Sequence, residues 1–318
     1  MNIRVGILGY GNVGKGVEKA VLENKDMTLV AIFTRRDVSQ IESNTKVVNI
    51  KNILDYKDKI DVLVICHGSA FDMPNDTPLY AKYFNVIDSF DTHSKIYEHF
   101  NNVDESSKSN NKVALISCGW DPGLFSINRL MSECIVPNGD TYTFWGPGVS
   151  QGHSDALRNI KGVKKAIQYT IPIEENVNKI RNGERIKLTP REKHLRECYV
   201  VVEDDSLKER IENEIKTMPN YFDEYNTIVN FITEEEFDKN HNKMPHGGFV
   251  VRVSDDEVIE YSLKLNSNPN FTGLILTSYI YAVYRLFNEN NYGAKSVFDI
   301  PISYLTNKTK DKLLKEYL

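Results

Sequence analysis

Two sets of residues in this chain could do chemistry. One is the string Gly9-Tyr10-Gly11-Asn12-Val13-Gly14 with Thr34-Arg35-Arg36; the other is scattered and contains Asp91, Asp121, Arg196 and His246. The glycine string has the spacing of a dinucleotide-binding turn. Its first glycine permits the sharp turn, its second lets backbone approach a pyrophosphate, and its third allows close packing of the following helix. The N-terminus of that helix, at Asn12 and Val13, then offers N–H groups and a partial positive charge to the phosphates. A site built for a free adenosine 2′-hydroxyl would end its second strand in Asp or Glu, but this strand ends in Thr34-Arg35-Arg36. Guanidinium groups there match a 2′-phosphate, so the expected cofactor is NADP. A solvated basic turn before Asp37 is the alternative reading.

Hydride chemistry on an amine needs carboxylates, which attract the ammonium form and can relay its proton. Asp91 and Asp121 each follow a strand and are the candidates, although a cap or turn role would explain either. Arg196, with its fork of donors, and His246, with one ring nitrogen, could hold a substrate carboxylate. The competing expectation is a solvated surface charge for Arg196, within Lys193-His194-Leu195-Arg196-Glu197, and a satisfied structural histidine for His246. The four cysteines are widely spaced, with no CxxC pair, and the seven histidines include no HExxH, so no metal is expected. Cys66 and Cys118 each end an apolar strand and read as small buried residues.

The elements that position these groups follow from the pattern. Ile3, Val5, Ile7 and Leu8 form a nearly continuous apolar run, as in a strand buried on both faces of a parallel sheet. Val13, Val17, Ala20 and Val21 then recur at helical spacing. Further strands are expected at 29–33, 46–50, 61–66, 85–88 and 112–117, with helices near 78–84 and 92–107. This alternation predicts an α/β, doubly wound Rossmann-type domain whose ligands lie at the carboxyl ends of its strands. Those ends carry Cys66-His67-Gly68-Ser69, Asp88-Ser89-Phe90-Asp91 and Cys118-Gly119-Trp120-Asp121-Pro122-Gly123, which should line one crevice. After Pro122 a helix is expected at 125–135, then strands at 141–145, 198–202, 226–232, 248–253 and 258–265, a charged helix at 207–217 and an apolar helix at 272–288. Strands without regular helical crossovers predict a mainly antiparallel α+β second domain. The expected division is 1–121 for the dinucleotide and 122–289 for substrate binding and dimerisation, with about 290–318 returning to the first domain.

At 318 residues the chain can build two cores. Hydrophobic residues make up 41% and charged residues 26%, ordinary for a globular protein, and a formal charge of -5 gives no reason to expect nucleic acid or an anionic membrane as partner. The first residues run straight into a strand without signal-peptide character, and no run approaches the roughly 20 apolar residues that span a bilayer. The expected location is cytoplasmic.

Beside these readings stand strings that a generic dinucleotide fold does not explain. Tyr10-Gly11-Asn12-Val13-Gly14, Cys66-His67-Gly68-Ser69, Asp88-Ser89-Phe90-Asp91, Gly119-Trp120-Asp121-Pro122-Gly123, Phe144-Trp145-Gly146-Pro147-Gly148, Ser150-Gln151-Gly152-His153-Ser154-Asp155-Ala156, Met244-Pro245-His246-Gly247-Gly248 and Asn268-Pro269 resemble the meso-diaminopimelate dehydrogenases, from the N-terminus to at least Phe271. The resemblance implies reversible NADP-dependent oxidative deamination at the D-centre of meso-2,6-diaminopimelate, within lysine and diaminopimelate metabolism, by a homodimer. It implies Asp91 and Asp121 at the reacting end and Trp120 and Trp145 shaping the pocket. Gln151 and Gly152 would lie beside the substrate, and Thr170, Arg196, His246 and Asn268 would hold the distant L-amino acid end. Cys66, His67 and Ser69 join the cofactor set. One departure stands out, because His67 occupies a place where methionine is expected. The alternatives are another NADP-dependent reductase of the aspartate pathway, which would lack the distal set, and a cofactor-sensing protein without turnover.

Overall fold

The structure is a computed structural model that describes residues 2–318. Strands β1 (Ile3–Leu8), β2 (Met27–Thr34), β3 (Val47–Asn49), β4 (Val62–Ile65), β5 (Val86–Asp88), β6 (Val113–Leu115) and β14 (Gly293–Lys295) form one sheet in the order β14-β6-β5-β4-β1-β2-β3. Every pairing in it is parallel.

Alternation within the strands explains why the sheet is covered twice. In β4, Val62 and Val64 face one core with Ile3, Val5 and Ile7, while Leu63 and Ile65 face another with Leu8 and Phe33. Helix α1 (Asn12–Leu22) covers the first core with Val17 and Val21, and α2 (Met73–Tyr80) and α3 (Ile96–Lys108) cover the second with Met73, Tyr80 and Val103. Each fully buried aliphatic or aromatic side chain contributes about 1.5–3 kcal/mol. Helix α2 begins at Met73 rather than near Pro78, because Pro74 suits a first turn whose N–H groups have no intrahelical partner.

Two compact units result, Met1–Ile127 with Pro269–Leu318, and Asn128–Asn268. These limits differ from a division at 121/122 and 289/290. The first unit extends to Ile127 because Phe125 packs edge-on against Trp120 and Ile127 lies against the sheet core. The long helix Asn268–Asn288 belongs to the first unit rather than the second, since Leu276, Ile280 and Val283 are part of the same core. Two glycines let it approach α1: a Cβ on Gly16 would stand 2.6 Å from the Pro269 carbonyl oxygen, and one on Gly273 would collide with the backbone of Gly16.

The second unit contains two sheets. One runs β11-β10-β9-β8, from β8 (Gly148–Val149), β9 (Val163–Pro172), β10 (His194–Val202) and β11 (Asn226–Phe231). The other runs β13-β12-β7, from β7 (Asp140–Trp145), β12 (His246–Val253) and β13 (Val258–Leu265). All pairs are antiparallel except β10 with β11. The unit also holds α5 (Gln151–Arg158), while α4 (Leu124–Ile135) spans the boundary between the units. Among the described residues, no helix is long and apolar enough to cross a membrane.

Candidate active site

The glycine turn is built as its spacing predicts. Gly9 has a φ of +94°, which L side chains rarely adopt, and a Cβ there would also run into the His67 ring. A Cβ on Gly14 would collide with the Gly9 carbonyl oxygen, so the third glycine seats α1 against the turn. Gly11 differs from both: nothing lies within 4 Å of its missing Cβ, and its φ of -89° is open to any residue. Its role is therefore space. It caps α1 without any side-chain hydrogen bond, at the helix end whose partial charge favours phosphate. Asn12, Val13 and Gly14 form the first turn of α1.

A cleft of about 280 Å³ opens over this turn, lined by Gly9, Gly11, Thr34, Arg35, Arg36, Cys66 and His67, with Tyr10 and Gly68 added to the residues expected from sequence. A pyrophosphate and the adenosine edge fit the donors assembled there. The two arginines are not equivalent. Arg35 is ion-paired with Asp72 at 2.7 Å and Asp76 at 2.5 Å. Arg36 has no carboxylate within ion-pair reach among the described residues; its guanidinium donates to the Tyr10 carbonyl, and its backbone N–H donates to Thr34 Oγ1 at 3.1 Å. Neither is a simply solvated basic turn. Burial pushes the Cys66 and Cys118 thiols up, which leaves them protonated and disfavours nucleophilic chemistry.

Asp88, which is fully buried at the end of β5, ties the carboxyl end of β6 to α2 and α3. It accepts from Thr77 Oγ1 at 2.8 Å, Phe90 N–H at 3.0 Å, Ser117 N–H at 2.8 Å and His99 Nε2 at 2.8 Å. Burial alone would raise its pKa, but the hydrogen bond and charge of His99 and the two backbone N–H groups outweigh this and hold it below the ordinary value. The Asp91 N–H donates to Ser69 Oγ at 2.9 Å, which links the loops after β5 and β4. Asp121 sits in a turn closed by Gly119 N–H to the Pro122 carbonyl at 2.9 Å and Phe125 N–H to the Trp120 carbonyl at 2.7 Å. Gly123, with a φ of +126°, allows that closure, since a Cβ there would collide with Gly119. Asp91, Trp120 and Asp121 thus lie on loops of the first unit's sheet edge, as their positions after strands required.

The second unit gathers most of the remaining predicted residues. Arg196 stands directly opposite Thr170 across β10 and β9 and donates to its hydroxyl. Gly148 on β8 pairs with Thr170 on the other side, and a Cβ on Gly148 would collide with His246. Val149 N–H donates to the Pro245 carbonyl at 2.8 Å, and Asn268 N–H to the Met244 carbonyl at 3.1 Å, so the Met244–Gly248 turn meets both segments. Gln151 and Gly152 open α5 next to Ser150, whose N–H donates to the Gln168 carbonyl at 3.0 Å, and the Gly152 Cβ position is open. Trp145 ends β7, where its N–H donates to His194 Nε2 at 2.9 Å and its ring stacks on the same imidazole.

Arg196 is not the solvated surface charge that its neighbours in sequence imply. It is 6% exposed, its guanidinium carbon lies 4.0 Å from the centre of the Tyr225 ring, and no carboxylate pairs with it among the described residues. Its Nε has no hydrogen-bond partner among the described residues. Burial pulls the guanidinium below its ordinary pKa, against the opposing effect of Tyr225. Its charge reaches three histidines: burial first, and Arg196 second, depress His153 and His194 to about 3, while burial depresses His246 against the hydrogen bond of Gly247. A buried cation among neutral imidazoles is a receptor for an anion.

His153, His194 and Tyr225 were not singled out from sequence. Alternation along β10 carried a signal for the strand, since Arg196 shares its face with buried Cys198 and Val200. Tyr225 precedes β11 with no local signature.

Comparisons with known proteins give the family. The family model described as the diaminopimelic acid dehydrogenase C-terminal domain matches residues 119–267. A relative from Ureibacillus thermosphaericus, named meso-diaminopimelate D-dehydrogenase, is 56% identical over 99% of this chain and 99% of its own. The chain belongs to the meso-diaminopimelate dehydrogenase family. Among solved structures, a variant of meso-diaminopimelate dehydrogenase from Clostridium tetani E88 with DAP is 52% identical with a TM-score of 0.95, covering 99% of this chain and 100% of that one. An engineered D-amino acid dehydrogenase bound to NADP+ is 41% identical with a TM-score of 0.90, each chain covered at 100%.

Proposed function

We propose that this chain catalyses the reversible NADP-dependent oxidative deamination of meso-2,6-diaminopimelate at its D-centre, giving L-2-amino-6-oxopimelate and ammonia. The observation that carries this reading is Arg196, a buried guanidinium with a hydroxyl and an aromatic face as neighbours and no carboxylate of its own. A cation in that state is costly until an anion meets it, and the carboxylate of the distant L-amino acid end supplies one. His246, Thr170 and Asn268 complete the set that holds this end, and Gln151 and Gly152 lie beside the substrate. Fixing the remote end decides which carbon faces the nicotinamide, so orientation and stereochemistry share one cause.

Bound NADP supplies the acceptor for the hydride. Gly9, Gly11, Asn12, Val13 and Gly14 would hold its pyrophosphate and the Thr34–Arg36 edge its 2′-phosphate, with Cys66, His67 and Ser69 completing the cofactor set. Asp91 and Asp121 attract the D-ammonium and take its proton, directly or through water, which leaves the amine lone pair free to form the C=N bond as the C–H pair departs. Water adds to that imine carbon, and ammonia leaves with the proton the carboxylate returns. Trp120 and Trp145 shape the pocket and limit water. The reading includes a cytoplasmic homodimer, with location following from the charged dinucleotide, which does not cross membranes unaided.

The test is NADP reduction with meso-, LL- and DD-diaminopimelate and D-alanine. Activity selective for the meso isomer is expected; none with any amine would remove the reading.

A further inference from the structure

The residue that departs from the family pattern, His67, belongs to a charged cluster at the adenosine edge of the cofactor cleft. His67 Nδ1 lies 2.5 Å from Asp76 Oδ2, and Arg35 Nη2 reaches the same oxygen at 2.5 Å. Arg35 Nη1 pairs with Asp72 Oδ1 at 2.7 Å, and Asp72 Oδ2 accepts the Gly68 N–H at 3.2 Å. The imidazole is packed against the Gly9 turn and its side chain is only 9% exposed, so it holds Asp76 from the inner side. Arg35 therefore carries two carboxylates before any ligand arrives. Its positive charge is more than balanced, and a dianionic phosphate approaching it would meet Asp72 and Asp76 as well as the guanidinium. Arg36, on the same cleft, has no such partners.

We propose that Asp76, held in place by His67, is a cofactor-specificity residue: it occupies Arg35, so that selection of the 2′-phosphate falls to Arg36 alone. This rests on the reading of Thr34-Arg35-Arg36 as the 2′-phosphate edge. It divides labour between neighbours that sequence treats as equivalent. Arg35 becomes a strut between the end of β2 and the start of α2, and discrimination between NADP and NAD is weaker than two available guanidinium groups would give. Releasing Arg35 should sharpen it.

The experiment is isothermal titration of the full chain with NADP and with NAD, reported as the ratio of the two dissociation constants, so that NAD serves as the internal control for general damage. Arg36→Ala should cut the preference for NADP about 100-fold, whereas Arg35→Ala should change it less than about threefold. Asp76→Asn should raise the preference about tenfold, and adding Arg35→Ala to it should remove the gain. His67→Gln, which loosens Asp76 without changing its charge, should raise the preference by about threefold and decides the matter if Asp76→Asn binds neither cofactor. An unchanged or lower preference in Asp76→Asn with a collapse in Arg36→Ala would overturn the proposal while sparing the edge. A preference unmoved by Arg35→Ala and Arg36→Ala alike would overturn the edge itself.

Discussion

Arg35 and Arg196 carry the same charged group and are treated in opposite ways. Arg35 is half exposed and bound to two carboxylates, so the folded chain already satisfies it. Arg196 is buried against Tyr225 and Thr170 with its charge unanswered. A satisfied guanidinium holds elements together, whereas an unsatisfied one stores a demand that a ligand can meet. The first unit builds its cleft largely from backbone and glycine space, and the second unit gathers buried polar side chains.

The largest effect that could break this contrast comes from Arg196→Met, a swap of similar length that removes the charge. It should lower kcat/KM for meso-diaminopimelate on the order of 10²–10³-fold while changing the low activity with D-alanine by less than about threefold. Steady-state assays with both amines measure it, and equal losses would mean a general defect rather than a lost anchor.

The ligand-free variant should also melt higher, by about 2–4 °C for each 1 kcal/mol of strain relieved, because an unpaired buried charge is replaced by an apolar chain. A lower melting temperature in scanning calorimetry would show that the Thr170 bond and the Tyr225 stack outweigh the burial of charge. Gly11→Ala probes the other region. Its backbone accepts alanine and its Cβ position is open, so stability should hold while NADP affinity falls about tenfold through lost room for phosphate. Undiminished affinity by titration would deny that the space matters.

A separate test lies in acid. His153 and His194 are depressed from 6.5 to about 3, so the unfolded chain binds protons that the folded chain refuses between those values. Their contribution is complete above about pH 6.5 and is lost as pH falls towards 3, at about 1.4 kcal/mol per pH unit for each ring. Urea unfolding between pH 7 and 5 should show this slope, and His194→Gln should reduce it by one ring's share. An unaltered slope would show that the imidazole is not buried neutral.

The sheet of the first unit was legible because its signals are local. Continuous apolar runs, the glycine spacing and the change to helical period all lie within a few residues of the structure they specify. The domain limits were not, since the docking of the long helix Asn268–Asn288 depends on Gly16 and Gly273 meeting from distant parts of the chain. From its neighbours alone Arg196 could not be told from a solvated charge, because Lys193 and Glu197 flank it. The strand begins at His194, four residues before the apolar run that announces it, and period two then carries Arg196 inward. Arg35 was legible as a cation but not as an occupied one, because Asp72 and Asp76 reach it only after α2 is folded.

The close crossing of α1 with the long helix sets an order of assembly. The second unit is one uninterrupted stretch, Asn128–Asn268, and all its strands leave the ribosome before Gly273 and β14. The first unit begins synthesis earlier, yet its core must wait for Leu276, Ile280 and Val283, and its sheet for residue 295. The part of the chain made first is thus finished last, and a chain halted between the two units would expose an apolar sheet face to chaperones and proteases.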